Sequence, residues 1–135
     1  MNRIVKRILA GGSVAVLVGI ALAQAPALTR TVVARADVSV PGREAVAARV
    51  EVAPGGSSGW HTHPGDEISV VTEGETLLMV AGQPTRKVVA GEGFVIPAGV
   101  AHNAKNESTS PTRLVGVYVV EKGKPLASPA SAPAP

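Results

Sequence analysis

The chain has 135 residues, enough for one domain with a modest core, and 45% of them are hydrophobic. Its formal net charge of +3 arises at the N-terminus: without Arg3, Lys6 and Arg7 the basic and acidic residues balance, and no basic stripe favours nucleic-acid binding. The lack of cysteine in the sequence excludes disulfides, iron–sulfur clusters, thiolate-bound zinc and a cysteine-linked lipid anchor.

The first segment of the chain has the form of a secretory signal peptide. Its basic start is followed by the apolar run Ile8–Leu22 and by small residues at Ala21 and Ala23, which suit cleavage after Ala23. We therefore predict a signal peptide over residues 1–23 and a mature protein that begins at Gln24, located in the periplasm or secreted. The alternative is an uncleaved segment that anchors the chain in a membrane.

The middle of the chain has the pattern of a series of short β-strands. Between residues 31 and 121, valine-rich runs alternate with Gly and Pro, and no segment combines the length and the 3.6-residue period of a helix. This pattern predicts one all-β domain, a sandwich or a barrel. The clearest runs are Glu44–Val52, Ile68–Val71, Thr76–Ala81, Lys87–Ala90, Phe94–Ile96 and Arg113–Val120. Residues 122–135 are rich in Pro, Ala and Ser, so we expect an extended, disordered tail there.

The placement of the histidines indicates a metal site. His61 and His63 are two residues apart, so on an extended strand their imidazoles face the same side. Glu67 follows a Pro-Gly pair that can turn the chain back, and His102 must arrive from another strand. Three neutral imidazoles and one carboxylate suit a first-row transition metal and suit Ca²⁺ or Mg²⁺ poorly. A His-x-His pair by itself, however, is more often structural or surface-exposed than metal-binding.

Two spaced motifs contain these histidines. The first consists of Gly55, His61, His63, Glu67 and Gly74. The second consists of Gly91, Pro97, Gly99, His102 and Asn106. Together they resemble the two motifs of the cupin superfamily, in particular of its small single-domain bacterial members, and Asn106 is expected to be a turn or packing residue. The resemblance covers residues 44–118 and implies an all-β double-stranded β-helix, the jelly-roll barrel of cupins. It also implies that His61, His63, Glu67 and His102 bind one divalent first-row transition metal ion (Fe, Mn, Ni, Cu or Zn).

Other side chains near the motifs are candidates for the lining of the site. Trp60 precedes His61, so on a strand it would face away from the metal and serve in packing or in a dimer contact. Arg49 would anchor an anionic substrate if its face of the strand looks into the barrel; otherwise it lies on the solvated outer face. Further candidates for the lining are Ser69, Phe94, Val117 and Tyr118.

These features favour two functions of different kinds. The ligand set that the resemblance implies favours a metal-dependent enzyme, similar to dioxygenases or isomerases, that acts on a small molecule through metal-centred chemistry. The small size and the lack of any other evident base or nucleophile favour a non-catalytic, metal-dependent binding or sensing module. A purely structural barrel is the third alternative. The expected partners are a small-molecule ligand or substrate and no nucleic acid; membrane contact is expected only through an uncleaved signal segment, and a homodimer is left open.

Overall fold

The computed structural model describes residues 27–134, so the predicted signal peptide lies outside the described residues. No helix in this range is long and apolar enough to cross a membrane. The strands are β1 (Leu28–Asp37), β2 (Arg43–Val52), β3 (His61–Thr62), β4 (Gly65–Glu73), β5 (Glu75–Val80), β6 (Arg86–Val89), β7 (Gly93–Ile96), β8 (His102–Lys105), β9 (Thr112–Glu121) and β10 (Ser128–Pro129).

The strands form two five-stranded sheets. One sheet has the order β1-β2-β9-β4-β7 and the other has the order β10-β3-β8-β5-β6. Neighbouring strands run antiparallel in both sheets. The chain passes repeatedly from one sheet to the other, as in a double-stranded β-helix, and the predicted fold class is confirmed.

Alternation of side chains along the strands builds the core between the sheets. In β4, every second residue from Gly65 to Val71 is buried and the residues between them are exposed. Strands β2 and β9 alternate in a similar way and pair along their whole length. Because successive residues of a strand face opposite sides, this period of two directs one set of side chains inward. The buried apolar residues include Val46, Val50, Val71, Leu78, Val88, Ile96, Leu114 and Val120.

Two glycines meet steric demands at the two ends of β4. Gly74 joins β4 to β5 across the two sheets with a φ of 76°, a left-handed conformation that side chains disfavour. At Gly65 the backbone of β9 lies so close that an added Cβ would stand 1.9 Å from the carbonyl oxygen of Val119. Only glycine therefore lets β4 begin against β9 at this point.

The N-terminal part of the domain differs from the sequence prediction. Strand β1 begins at Leu28 rather than near residue 31, because Leu28 to Asp37 pair with β2. The His-x-His segment also forms less strand than expected. Only His61 and Thr62 lie in β3, which pairs with β8 at a single position. His61 and His63 are nevertheless both buried, in agreement with the shared face that the spacing predicted.

The C-terminal segment also differs from the predicted disordered tail. Ser128 and Pro129 form β10, which pairs with Thr62 and His61 of β3. Leu126 packs against a buried cluster of Val46, Ala48, Tyr118 and Val120. An apolar side chain and the open edge of β3 thus provide partners for this stretch, and composition alone does not reveal either of them.

Candidate metal centre

Four buried side chains from three strands converge between the two sheets. His61 lies in β3 with His63 just after it, Glu67 lies in β4, and His102 begins β8. The pairing of β3 with β8 sets His61 directly opposite His102. The exposed fractions of the four residues range from 2% to 8%. The site is therefore shielded from solvent.

The donor atoms of these residues are close enough for one shared ion. One donor atom from each side chain lies within 4.8 Å of the other three. Oε2 of Glu67 is 3.0 Å from Nε2 of His63 and 3.0 Å from Nε2 of His102. The structure thus brings together all four residues that the motifs single out. That these residues bind a metal stays a prediction.

Each imidazole is oriented by a backbone carbonyl. The three bonds from Nδ1 join His61 to Gly59 at 2.8 Å, His63 to Leu126 at 2.6 Å and His102 to Val100 at 2.9 Å. A carbonyl oxygen can only accept, so Nδ1 carries the hydrogen and Nε2 of each neutral ring presents a lone pair. Metal-binding histidines in proteins are oriented by the same kind of outer hydrogen bond.

The converging atoms require a positive charge between them. With their Nδ1 atoms protonated, neutral rings of His63 and His102 place nitrogen lone pairs 3.0 Å from a carboxylate oxygen. Nε2 of His63 is also buried without a hydrogen-bond partner. Either an extra proton or a metal ion would relieve this arrangement, because buried polar groups without partners are destabilising. The donor set fits a divalent first-row transition metal.

The local environment also favours the protonation states that metal binding needs. Burial lowers the pKa of His61 to about 4, so this imidazole is neutral near pH 7. Burial by itself would raise the pKa of Glu67. Hydrogen bonds from His102 and His63, which these rings can donate when they carry the extra proton, and the hydroxyl of Ser69 together hold it well below its usual range. Ser69 donates a hydrogen bond of 2.6 Å to Oε1 of Glu67, which leaves Oε2 facing the histidines.

Two spaces with shared lining residues lie beside the cluster. An inner cavity of about 20 Å³ touches His61, Glu67 and His102, and has room for little more than one water molecule. An outer groove of about 350 Å³ opens beside it, between β1 and the C-terminal segment. The residues that line both spaces are Leu28, Arg30, Ser58 and His61. These shared residues form the boundary between the site and the surface.

Most of the predicted lining residues lie close to the site. Tyr118 is fully buried with its ring centroid 4.7 Å from that of His63, and burial raises its pKa to about 12, so its hydroxyl is neutral. Phe94 also lines the inner cavity. Val117 does not line it, because it lies on the opposite face of β9 from Tyr118. Trp60 lines the outer groove and not the inner cavity.

The arginine beside the inner cavity is Arg30 and not Arg49, the arginine that sequence reasoning considered. Arg49 lies on the exposed outer face of its sheet, beside a separate concavity of about 370 Å³ that contains none of the four clustered residues. Arg30 lines both the inner cavity and the outer groove, and sequence reasoning missed it. Along β1, Leu28 and Arg30 are half-buried, whereas Thr29 and Thr31 are exposed. That period was readable in the sequence, but nothing there indicates which face turns inward.

Asn106 contacts backbone groups and not the site. Its amide nitrogen donates hydrogen bonds to the carbonyl oxygens of Val52 and Ser110, at 3.1 Å and 2.7 Å. Its side-chain oxygen accepts from the backbone N–H of Ser108. Fully buried, Asn106 thus closes the turn before β9, in agreement with the packing role expected for it.

Comparisons with known proteins agree with this architecture. Nectarin-1 from Nicotiana langsdorffii x Nicotiana sanderae is 34% identical over 97 residues, which are 65% of this chain and 42% of that protein. A recombinant oxalate oxidase solved in complex with glycolate is 31% identical with a TM-score of 0.57, over 68% of this chain and 50% of that one. A protein from Klebsiella pneumoniae with a double-stranded β-helix domain has a TM-score of 0.60 at 22% identity, over 75% and 84% of the two chains, and supports the fold alone.

A jelly-roll domain with a buried cluster of three histidines and one glutamate defines the class of this protein. The family model described as a cupin domain matches residues 48–120, more than half of the chain. The chain belongs to the cupin family, as the two motifs predicted. It spans less than half the length of the curated relatives that it matches.

Proposed function

We propose that this chain is an exported cupin that holds one divalent first-row transition metal and acts on a small molecule as an oxygenase- or isomerase-like enzyme. The metal ligands would be His61, His63, Glu67 and His102. One observation carries the proposal. The Nδ1 atoms of the three imidazoles donate hydrogen bonds to backbone carbonyls, so their Nε2 lone pairs converge on one buried carboxylate. Fe, Mn, Ni, Cu and Zn all suit this donor set.

The residues around the centre divide the remaining tasks. The bound metal would polarise a chelating ligand or supply redox chemistry. Ser69 holds the Glu67 carboxylate in place, and Tyr118, whose hydroxyl stays neutral, lines the inner cavity. Because that cavity is so small, only the head of a ligand would reach the centre. Similarity to an oxalate oxidase solved with glycolate supports a small, oxygen-rich chelating molecule.

A non-catalytic binding or sensing module is the second candidate. In the described part of the chain, the lining of the inner cavity adds only the hydroxyls of Ser58 and Tyr118 and the guanidinium of Arg30 to the four clustered residues as polar side chains. No separate carboxylate or imidazole is available there as a general base. Turnover of a small hydroxy acid or dicarboxylate, with dioxygen consumption followed in parallel, would favour the enzyme; tight binding without turnover would favour the module.

Metal analysis of the purified full chain tests the proposal. We expect about one equivalent of a single first-row metal in the wild type, and its loss in His102→Ala, because one donor and its orienting bond disappear together. Arg49→Gln is a matched control on the outer face and should keep the metal. Equal metal content in the wild type and His102→Ala, or no metal after reconstitution, would contradict the assignment.

Export and self-association rest on narrower observations. The N-terminal sequence pattern supports export, and N-terminal sequencing of the mature protein should find Gln24 first; a retained Met1 would favour an anchor.

The outer face of one sheet exposes Ile68, Val70 and Val115, which supports a homodimer. Sedimentation velocity would distinguish a dimer from a monomer.

A further inference from the structure

Arg30 is a half-buried cation without an acidic partner in the part of the chain that the structure describes. Its Cζ lies 5.5 Å from the centroid of the Tyr118 ring, which positions the guanidinium over an aromatic face. Its Nε is buried and has no hydrogen-bond partner. A buried donor of this kind is destabilising until an acceptor reaches it. The guanidinium is therefore oriented and only partly satisfied.

The charges around the inner cavity do not balance when a metal is bound. The carboxylate of Glu67 is the one acidic group among the described residues that line the cavity. A divalent ion together with the guanidinium of Arg30 outweighs that single negative charge, since burial keeps Tyr118 neutral. Excess positive charge away from water is unfavourable unless an anion compensates for it. The site thus favours a negatively charged ligand.

The shapes of the two spaces restrict the form of that ligand. Arg30 stands at the boundary between the inner cavity and the outer groove, beside His61. The inner cavity, about 20 Å³, can receive only a small polar head. The groove, about 350 Å³, is lined largely by apolar surface, including Leu28, Trp60 and Pro129. A ligand that fills both spaces would carry its charge at one end and an apolar substituent at the other.

We propose that Arg30 anchors the carboxylate of a ligand whose polar head also reaches the metal, and that the apolar body of this ligand lies in the outer groove. The chemical class is a 2-hydroxy or 2-oxo carboxylic acid with an apolar substituent. A guanidinium can bind a carboxylate through two parallel hydrogen bonds, which an ammonium cannot reproduce. This assignment rests on the proposed metal centre.

Trp60 provides a direct readout of the groove. It is the only tryptophan of the chain and lines the groove, so a bound aromatic body should change its fluorescence. Mandelate, which has a carboxylate, a 2-hydroxyl group and a ring, is the test ligand. Mandelamide is its neutral counterpart. The metal content and melting temperature of each protein are measured first. Both ligands are then titrated into the metal-loaded wild type, Arg30→Gln, Arg30→Lys and the control Arg49→Gln.

We expect saturable mandelate binding to the wild type and to Arg49→Gln, and a Kd about 10- to 100-fold higher in Arg30→Gln with unchanged metal content. Arg30→Lys should be intermediate, and mandelamide should bind weakly to every variant. If Arg30→Gln fails to fold, the affinity of Arg30→Lys for mandelate and the comparison of mandelate with mandelamide test the assignment.

Two results would overturn the assignment of Arg30. One is the absence of a mandelate response in metal-loaded wild type. The other is wild-type affinity for mandelate in Arg30→Gln or, if that variant does not fold, equal binding of mandelate and mandelamide to the wild type. A wild type that never takes up metal would instead overturn the proposed function, so the two failures are distinguishable.

Discussion

Acid should destabilise the metal-free protein through His61. Burial places the pKa of this residue at about 4 in the folded protein, against 6.5 for a solvated histidine. Between these values the unfolded chain binds a proton at His61 that the folded chain does not, so the free energy of unfolding falls as the pH falls. The full gap corresponds to about 3.5 kcal/mol, at ~1.4 kcal/mol for each pH unit, of which about 3 kcal/mol is lost by pH 4. That is a large share of the ~5–15 kcal/mol typical of small domains.

Glu67 acts in the same direction over a lower pH range. Its pKa in the folded protein is depressed, so its contribution is complete above its unfolded value of 4.5 and is lost as the pH falls below that value. Comparison of the wild type with a variant that lacks the imidazole of His61 therefore isolates the contribution of His61.

Urea unfolding, followed by the fluorescence of Trp60 in the presence of a chelator, measures this effect. The free energy of unfolding is determined at intervals from neutral pH down to about pH 4 in the wild type and in His61→Gln. Because glutamine does not titrate, the variant should lose about 3 kcal/mol less over this interval than the wild type. Equal losses in the two proteins would refute the argument that burial of a neutral His61 makes the fold sensitive to acid.

Two further predictions concern the groups that hold the ligands. Truncation after Gly123 removes the Leu126 carbonyl that orients one imidazole, and should lower metal affinity by about 10- to 100-fold in competition with a chromogenic chelator. Truncation after Ala130 keeps that carbonyl and β10 and should match the wild type; equal losses in both would contradict the role of the carbonyl. Ser69→Ala removes the 2.6 Å bond to Glu67 and should weaken metal binding by about tenfold in the same assay, whereas unchanged affinity would show that the carboxylate is positioned without it.

The strands that cross the middle of the domain could be predicted from the sequence because each carries its own signal. The run Glu44–Val52 became β2 (Arg43–Val52), and Arg113–Val120 became β9 (Thr112–Glu121), each within one residue at either end. Both strands bury one face, so apolar residues recur with a period of two. Strand β3 could not be predicted in this way, since two residues are too few to show a period and only its pairing partners define the strand.

The candidate metal centre was predictable to the level of residue identity. Two histidines at a spacing of two, with a glutamate and a third histidine at the distances of the cupin motifs, were sufficient to propose His61, His63, Glu67 and His102. The orienting carbonyls were not predictable. Those of Gly59 and Val100 belong to nearby residues, but that of Leu126 comes from a segment whose composition resembles a disordered tail. A carbonyl is present at every residue, so only the fold can select one.

Sequence alone therefore determined the all-β class, the cupin family and the set of residues at the centre, because these depend on local period and on fixed spacing. Tertiary structure alone decided which cation stands beside that centre. Arg30 and Arg49 both lie on strands of the same sheet, yet β1 turns Arg30 towards the cavity while β2 turns Arg49 towards solvent. The physical reason is that a strand's period of two defines two faces, and only packing against the opposite sheet decides which face is inside.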